Sequence, residues 1–394
     1  MSWPMVAIKS VSKVTTGKTP SKKVDSYFGG DIPFISPSEL GESAFVKNAK
    51  QTLSELGAQQ IKLVPKNSVL VCCIGSLGKL AIADRELGTN QQINSVTFNE
   101  EKVFPKYGYY ALARLKPVLE AMAPATTVAI VSKSKFEELE IPLPPLAEQK
   151  RIAAILDKAD AIRQKRKQAI ELADEFLRSV FLDMFGDPVT NPKGWEERKL
   201  ISGLSEVQSG WSAKGESYPC TSNEFGVLKV SAVTSGYFKE HENKFVPREK
   251  IPEGKRLLFP KRGDLLFSRA NTRELVAATC IVTRDHDNVF LPDKLWKIKL
   301  NESLLPEFLH MLIQQPRFKD KLTSQATGSS GSMLNISKSK FEQTKAIFPS
   351  ITEQIKFKEI YWKVTKSLTL IEASQAKSDD FFNSLSQKAF SGQL

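Results

Sequence analysis

An active site in this chain would have to be built from four cysteines, three histidines and scattered acids, and their spacing argues against one. Cys72 and Cys73 are adjacent, Cys220 and Cys280 stand far apart, and no Cys-x-x-Cys pair occurs. His241, His286 and His310 lack the spacing of metal ligands, so no metal site is expected. Gly75-Ser-Leu-Gly-Lys79 resembles a fragment of a phosphate-binding loop. A complete loop needs glycine where Cys73 stands and Ser or Thr where Leu80 stands. The Leu143-Pro-Pro-Leu146 run is not the Asn/Asp-Pro-Pro-Tyr/Phe sequence with which amino-methyltransferases hold a flipped adenine, and no Asp…Glu-x-Lys nuclease arrangement is found in strand context. Asp285-His286-Asp287 reads as solvent-facing side chains in a turn, without a nucleophile partner. The expectation is a protein without catalytic residues.

Chemistry suited to binding is plentiful. With 56 Lys and Arg against 44 Asp and Glu, the formal net charge is +12, which favours a polyanionic partner. Residues 1–145 hold 17 basic against 13 acidic side chains and residues 188–350 hold 25 against 18, whereas 146–187 and 351–394 are nearly balanced. Two basic blocks suggest two binding surfaces. Their polar loops carry the side chains that pair with base edges: Arg and Lys suit guanine, Asn and Gln suit adenine. The candidates are Lys18, Lys22, Lys79, Gln91, Gln92 and Asn94 in the first block, then Lys214, Arg269, Asn271, Arg273 and Lys294 in the second. The Ser/Gly-rich stretch 323–335 is a further candidate loop. For any single residue, an ordinary solvated loop position is the competing reading.

The elements that position these loops are duplicated. Val131-Ser-Lys-Ser-Lys-Phe136 returns as Ile336-Ser-Lys-Ser-Lys-Phe341, 205 positions later, and the register then holds for more than fifty residues. Pro144 matches Pro349, Glu148-Gln149 matches Glu353-Gln354, and Phe176, Ser179 and Phe185 match Phe381, Ser384 and Phe390. Trp3, Val14 and Gly17 are echoed more loosely by Trp195, Val207 and Gly210. The chain therefore divides into a globular domain over 1–142, a helical region over 143–187, a second domain over 188–347 and a second helical region over 348–394. Both globular domains mix short β-rich runs with one or two helices, which reads as α/β, or mixed α+β.

Each helical region shows a heptad seam. In the first it is Ile152, Ile155, Ala159, Ile162, Arg166, Ala169, Ala173, Phe176 and Val180. In the second it is Phe357, Ile360, Val364, Ser367, Ile371, Ser374, Ser378, Phe381 and Leu385. Two such stripes most simply bury each other as an antiparallel coiled coil of helices roughly 55–60 Å long, with pseudo-twofold symmetry. Two helices packed independently on their own domains are the alternative. The basic run Arg163-Gln-Lys-Arg-Lys167 is expected to touch phosphates without reading sequence, unless it is merely a solvated face.

Together, the proline-rich lead into Glu-Gln and a long helix, seen at 142–162 and 348–360, and the helix endings at 176–187 and 381–394 resemble the specificity subunits of type I restriction-modification enzymes. The resemblance spans essentially the whole chain. Ser350, where the first repeat has Pro145, departs slightly from the pattern. It implies a non-catalytic reader of double-stranded DNA whose two target-recognition domains each read one half of an asymmetric bipartite site, the helices setting the unread spacer. It further implies two methyltransferase subunits docked on the helices and restriction subunits that add translocation and cleavage. On that reading this chain holds no cofactor, and S-adenosylmethionine, Mg and ATP belong to the partners. A subunit of a related methylation-only or side-cutting system is one alternative. A coiled-coil scaffold that binds proteins is another, disfavoured by the two basic blocks. The N-terminus lacks an apolar signal core and no run approaches a membrane span, so a cytoplasmic location is expected.

Overall fold

The computed structural model describes residues 3–46, 48–123, 128–324, 326–327 and 333–394, with the side chain of Ala376 also left aside. The chain forms two compact units, Met1–Lys167 with Ala373–Leu394 and Gln168–Glu372. Each takes one globular domain and half of each long helix.

In the first unit, β1 (Met5–Ala7), α1 (Ile8–Val11) and β2 (Ser12–Thr16) precede β3 (Phe28–Ile35), β4 (Gln51–Leu53) and α2 (Glu55–Ala58). The strands β5 (Val69–Cys72), β6 (Leu80–Ile82), β7 (Gly88–Thr89) and β8 (Ile93–Phe98) follow, then α3 (Pro105–Ala113), α4 (Lys116–Met122), α5 (Lys133–Glu137), β9 (Glu140–Pro142) and the long helix α6 (Leu146–Phe185). The main sheet runs β2-β8-β5-β6, a smaller one β4-β3-β7, and β1 pairs with β9. The central strand β5 is buried throughout, as its continuous apolar run Val-Leu-Val-Cys requires.

The second unit repeats this order. Its strands are β10 (Glu196–Lys199), β11 (Leu204–Ser209), β12 (Phe225–Leu228), β13 (Asn243–Val246), β14 (Leu265–Ser268), β15 (Ala270–Asn271), β16 (Thr279–Ile281), β17 (Val289–Phe290), β18 (Leu295–Leu300), β19 (Leu334–Asn335) and β20 (Lys345–Phe348). Its helices are α7 (Pro306–Gln314), α8 (Pro316–Thr323), α9 (Lys338–Gln343) and α10 (Ile351–Ser391). The sheets β11-β18-β14-β16, β13-β12-β17 and β10-β20 correspond strand for strand to those of the first unit. The repeated Ser-Lys-Ser-Lys-Phe motif has one task in both. Ser132 and Ser337 cap α5 and α9 by accepting the Lys135 and Lys340 N–H groups, and Phe136 and Phe341 are fully buried.

The long helices begin and end where the sequence places them, and in the first unit their segments run antiparallel. Arg151 donates to the Leu394 carbonyl (2.9 Å), Arg163 meets Asp379 (2.9 Å) and lies over the Phe382 ring, and Arg166 donates to the Ser374 carbonyl (3.1 Å). In the second unit Phe181 and Phe185 pack on Phe357, each with ring centroids 5.6 Å apart. The expected seam needs correction. Ile152 and Phe357 are fully buried, and Ile155, Val180, Ile360, Val364, Ile371 and Leu385 are half-buried, but Ile162, Phe176 and Phe381 are 49%, 51% and 60% exposed. Burial selects their neighbours Leu177 and Phe382 instead. The adjacent apolar pairs 176–177 and 381–382 permit two helix phases, about 100° apart. Packing against both the other helix and the domain selects the phase carrying Leu177, Phe181 and Phe185. The basic run is likewise reassigned in part, because Arg163 and Arg166 serve the helix contact.

Buried Gln149 and Gln354 are used identically. The Gln149 amide oxygen accepts the Phe104 N–H (2.8 Å), and its amide nitrogen donates to the carbonyls of Lys102 (2.9 Å) and Pro144 (2.8 Å). Gln354 accepts the Leu305 N–H (2.9 Å) and donates to Ser303 (3.0 Å) and Pro349 (2.9 Å). Phe104 and Leu305 are the N-cap residues of α3 and α7. Next to this clamp, Lys106 pairs with Asp157 in the first unit, while Glu307 accepts from the Trp362 indole (2.6 Å) in the second. The bridging side chains diverge, but the clamp does not.

In the second unit His310 is buried, bonded through Nδ1 to the Thr279 hydroxyl (2.8 Å), and burial lowers its pKa to about 4. Because the unfolded state binds the proton more readily, stability from this site is complete above about pH 6.5 and drains away toward pH 4, by on the order of 3 kcal/mol. His310→Asn is expected to flatten the acid limb of a stability-against-pH curve for this unit. A curve parallel to that of the unaltered chain would contradict it.

Candidate nucleic-acid interface

Some of the candidate reading residues, Lys18 and Gln91 in the first domain and Arg269 and Lys294 in the second, lie at one corner of each domain, where the chain leaving β2 or β11 crosses the loop ahead of β8 or β18. Gly17 and Gly210 make the crossing possible: a Cβ on either would lie 2.1 Å from the Asn90 carbonyl oxygen or 2.0 Å from that of Leu291. One residue on, the Lys18 N–H donates to Thr89 and the Trp211 N–H to Leu291, both at 2.9 Å. Next, the Thr19 hydroxyl bonds to Gln91 (2.8 Å), and the Ser212 hydroxyl bonds to Asp293. Both corners share a backbone frame and differ in the side chains it presents.

At the first corner Lys18 and Gln91 are exposed. Gln92 is half-buried, bonded to Asn90 (3.0 Å) and to the Ile74 carbonyl (3.3 Å). Asn94 is not at the surface: it is 3% exposed within β8 and accepts from Thr16 (2.8 Å). A strand residue two positions beyond the loop points back into the sheet, so Asn94 supports the corner. Lys22 and Lys79 are exposed elsewhere on the domain, Lys79 beside Gly41.

At the second corner Arg269 is spoken for within the protein. It donates to the Asp293 carbonyl (2.7 Å) and to Asn335 (2.9 Å), and its guanidinium stands 3.5 Å from the Asp293 carboxylate. Lys294 and Asn271 flank it half-buried, the Asn271 side chain accepting the Thr272 N–H (2.9 Å). Lys214 and Arg273 are exposed. Thr19, Ser212, Asp293 and Asn335 belong to the corners but carry no signal in sequence beyond ordinary loop polarity. Within the candidate stretch 323–335, residues 325 and 328–332 lie outside the described residues.

The groups first weighed for chemistry are deployed structurally. Cys72 and Cys73 are buried, and burial raises both thiols, Cys73 to about 12. His286, expected at the surface, is 6% exposed: its ring packs edge-on to Phe238 and stands 3.2 Å from the Glu240 carboxylate. Glu240 is held below the usual carboxylate range, chiefly by its hydrogen bond from Arg284. Among the described residues no group of three or more His, Cys, Asp or Glu is placed to hold a metal, and no helix is long and apolar enough to cross a membrane.

Residues 2–172 match the family described as the type I restriction modification DNA specificity domain. The chain is 26% identical to the MjaIX specificity subunit of Methanocaldococcus jannaschii over 67% of each protein. It is 24% identical to the EcoKI specificity subunit of Escherichia coli over 70% of this chain and 62% of that one. In fold it is similar to the type I restriction-modification S subunit of M. genitalium, with a TM-score of 0.57 and 18% identity over 98% of this chain and 96% of the other. A chain of another type I system gives a TM-score of 0.51 at 16% identity, covering 100% and 98%. With a duplicated domain and a duplicated helix start, the chain is similar along its length to type I restriction-modification specificity subunits, and its residues 2–172 match their DNA specificity domain family.

Proposed function

We propose that this chain supplies the DNA sequence specificity of a type I restriction-modification complex and performs no catalysis itself. Each domain reads one half of an asymmetric bipartite site in double-stranded DNA, and the long helices set the unread spacer. The observation that carries this reading is the pair of corners: one backbone frame, built twice, presents Lys18 and Gln91 in one copy and Trp211, Asp293 and Lys294 in the other. Equal frames with unequal side chains suit two readers of unequal half-sites. Two methyltransferase subunits dock on the helices, where Phe176 and Phe381 are exposed at matching positions of the repeat. Restriction subunits complete the assembly, S-adenosylmethionine, Mg and ATP are held by the partners, and the complex works in the cytoplasm.

The test is to replace residues 1–142 with the corresponding domain of another family member, in the complete complex, and to map methylated sequences in host DNA. One half-site is expected to change while the other stays. An unchanged methylated sequence sinks the two-reader account. Gel shifts of the assembled complex at two salt concentrations give an independent check, since phosphate contacts make affinity fall steeply with salt.

A further inference from the structure

We propose that Gln149 and Gln354 are positioning residues: they lock each recognition domain to its long helix and thereby hold the separation at which the two half-sites are read. The inference rests on the reading above and adds to it the residues that keep the spacing sharp. Both side chains are 0% exposed, and both use all three of their hydrogen bonds on backbone atoms. One partner in each clamp, Pro144 or Pro349, lies at the start of the long helix, and the other two lie on the segment leading into α3 or α7. Each clamp is therefore a joint between a domain and a helix, lying within one unit.

The chemistry selects glutamine. One end must accept a single N–H while the other donates to two carbonyls, which a primary amide does and a carboxylate or an alkyl chain does not. Because the partners are backbone groups, the joint is insensitive to the divergence around it. Lys106–Asp157 in one unit and Glu307–Trp362 in the other bridge the same elements with unrelated side chains, whereas the clamp repeats bond for bond. A contact that serves only folding is free to drift as its neighbours did. One that holds two readers to a common gauge has to be the same at both ends.

The experiment uses the full chain in its complete complex, with methylated positions in host DNA as the readout. Gln149→Glu, which keeps the acceptor and loses the donors, is compared with Gln149→Leu and with Val69→Ala, a fully buried β5 position that takes no part in the clamp's hydrogen bonds. In the assembled complex the half-sites read by both Gln149 variants should remain the same. Sites with a spacer one base pair longer or shorter should rise about tenfold or more, as expected from weakening by one or two neutral hydrogen bonds. Val69→Ala should lower overall methylation with the spacing untouched. A single unaltered spacing in the Gln149 variants overturns the proposal, as does their loss from the soluble fraction, which would make the clamp a folding contact only. Should the unaltered chain itself show no fixed spacing between half-sites, the functional reading above fails instead.

Discussion

Phe185→Ala is expected to destabilise the second unit by about 3–5 kcal/mol, the range for removing a fully buried aromatic ring from a close-packed core. Phe185 is 0% exposed and sits at the hub of an aromatic cluster. Its ring centroid lies 5.0 Å from Phe181, 5.0 Å from Phe308, 5.6 Å from Phe357 and 6.4 Å from Trp195. It thus joins α6, α7 and α10, and its carbonyl accepts the Trp195 indole N–H (2.9 Å). Partial collapse of the surroundings is limited because four of its neighbours are themselves rigid rings. Tryptophan fluorescence during urea unfolding reports on this directly, since Trp195 and Trp362 pack against the same core. With two units present, the transition to follow is that of the second unit. Phe176→Ala on the same helix serves as the contrast. Its ring is 51% exposed, so a shift within about 0.5 kcal/mol is expected. Equal losses at 176 and 185 would contradict the helix phase described above.

Lys297→Met should cost up to about 3 kcal/mol, at the lower end for breaking a buried pair, by leaving the mostly buried Asp264 carboxylate without its partner. Lys297 is 6% exposed in β18; its ammonium pairs with Asp264 and donates to the Phe259 carbonyl (3.1 Å). Asp264 also accepts the Lys261 N–H (2.6 Å), so it cannot simply turn away. The double variant Lys297→Met, Asp264→Asn removes the charge while retaining an acceptor for Lys261, and it should recover much of the loss. If single and double variants unfold at the same urea concentration, the uncompensated charge is not the cause. In the first unit Ser95 occupies the position of Lys297, since Ser95 faces Leu70 on β5 as Lys297 faces Leu266 on β14. The ion pair is therefore an addition within one copy and not a requirement of the shared fold.

Much of the architecture is legible along the chain because it is local or periodic. The repeat at 205 residues, the capped Ser-Lys-Ser-Lys-Phe turns and the proline-marked helix starts at 146 and 351 are all visible in sequence order. The candidate reading residues were legible only as a class. Loop polarity singled out Lys18, Gln91 and Lys294, but equally Asn94, which lies buried in β8, and Arg269, which is bonded to Asp293 and Asn335. No spacing in the sequence brings Thr19 to Gln91 or Ser212 to Asp293, because those approaches are made by strands that are distant in the chain.

The long helices mark the same division. Sequence by itself determined that two of them exist, where they start and that they are copies, since hydrogen bonding within a helix and its end signals involve only near neighbours. Which of Phe176 or Leu177, and Phe381 or Phe382, turns inward was decided by tertiary structure. A rotation of one residue leaves the helix intact and changes only which face meets the domain and the other helix. The role of Glu148-Gln149 and Glu353-Gln354 was decided there too. As sequence they mark a helix start, and only the backbone of a segment some forty-five to fifty residues away turns each buried glutamine into a joint.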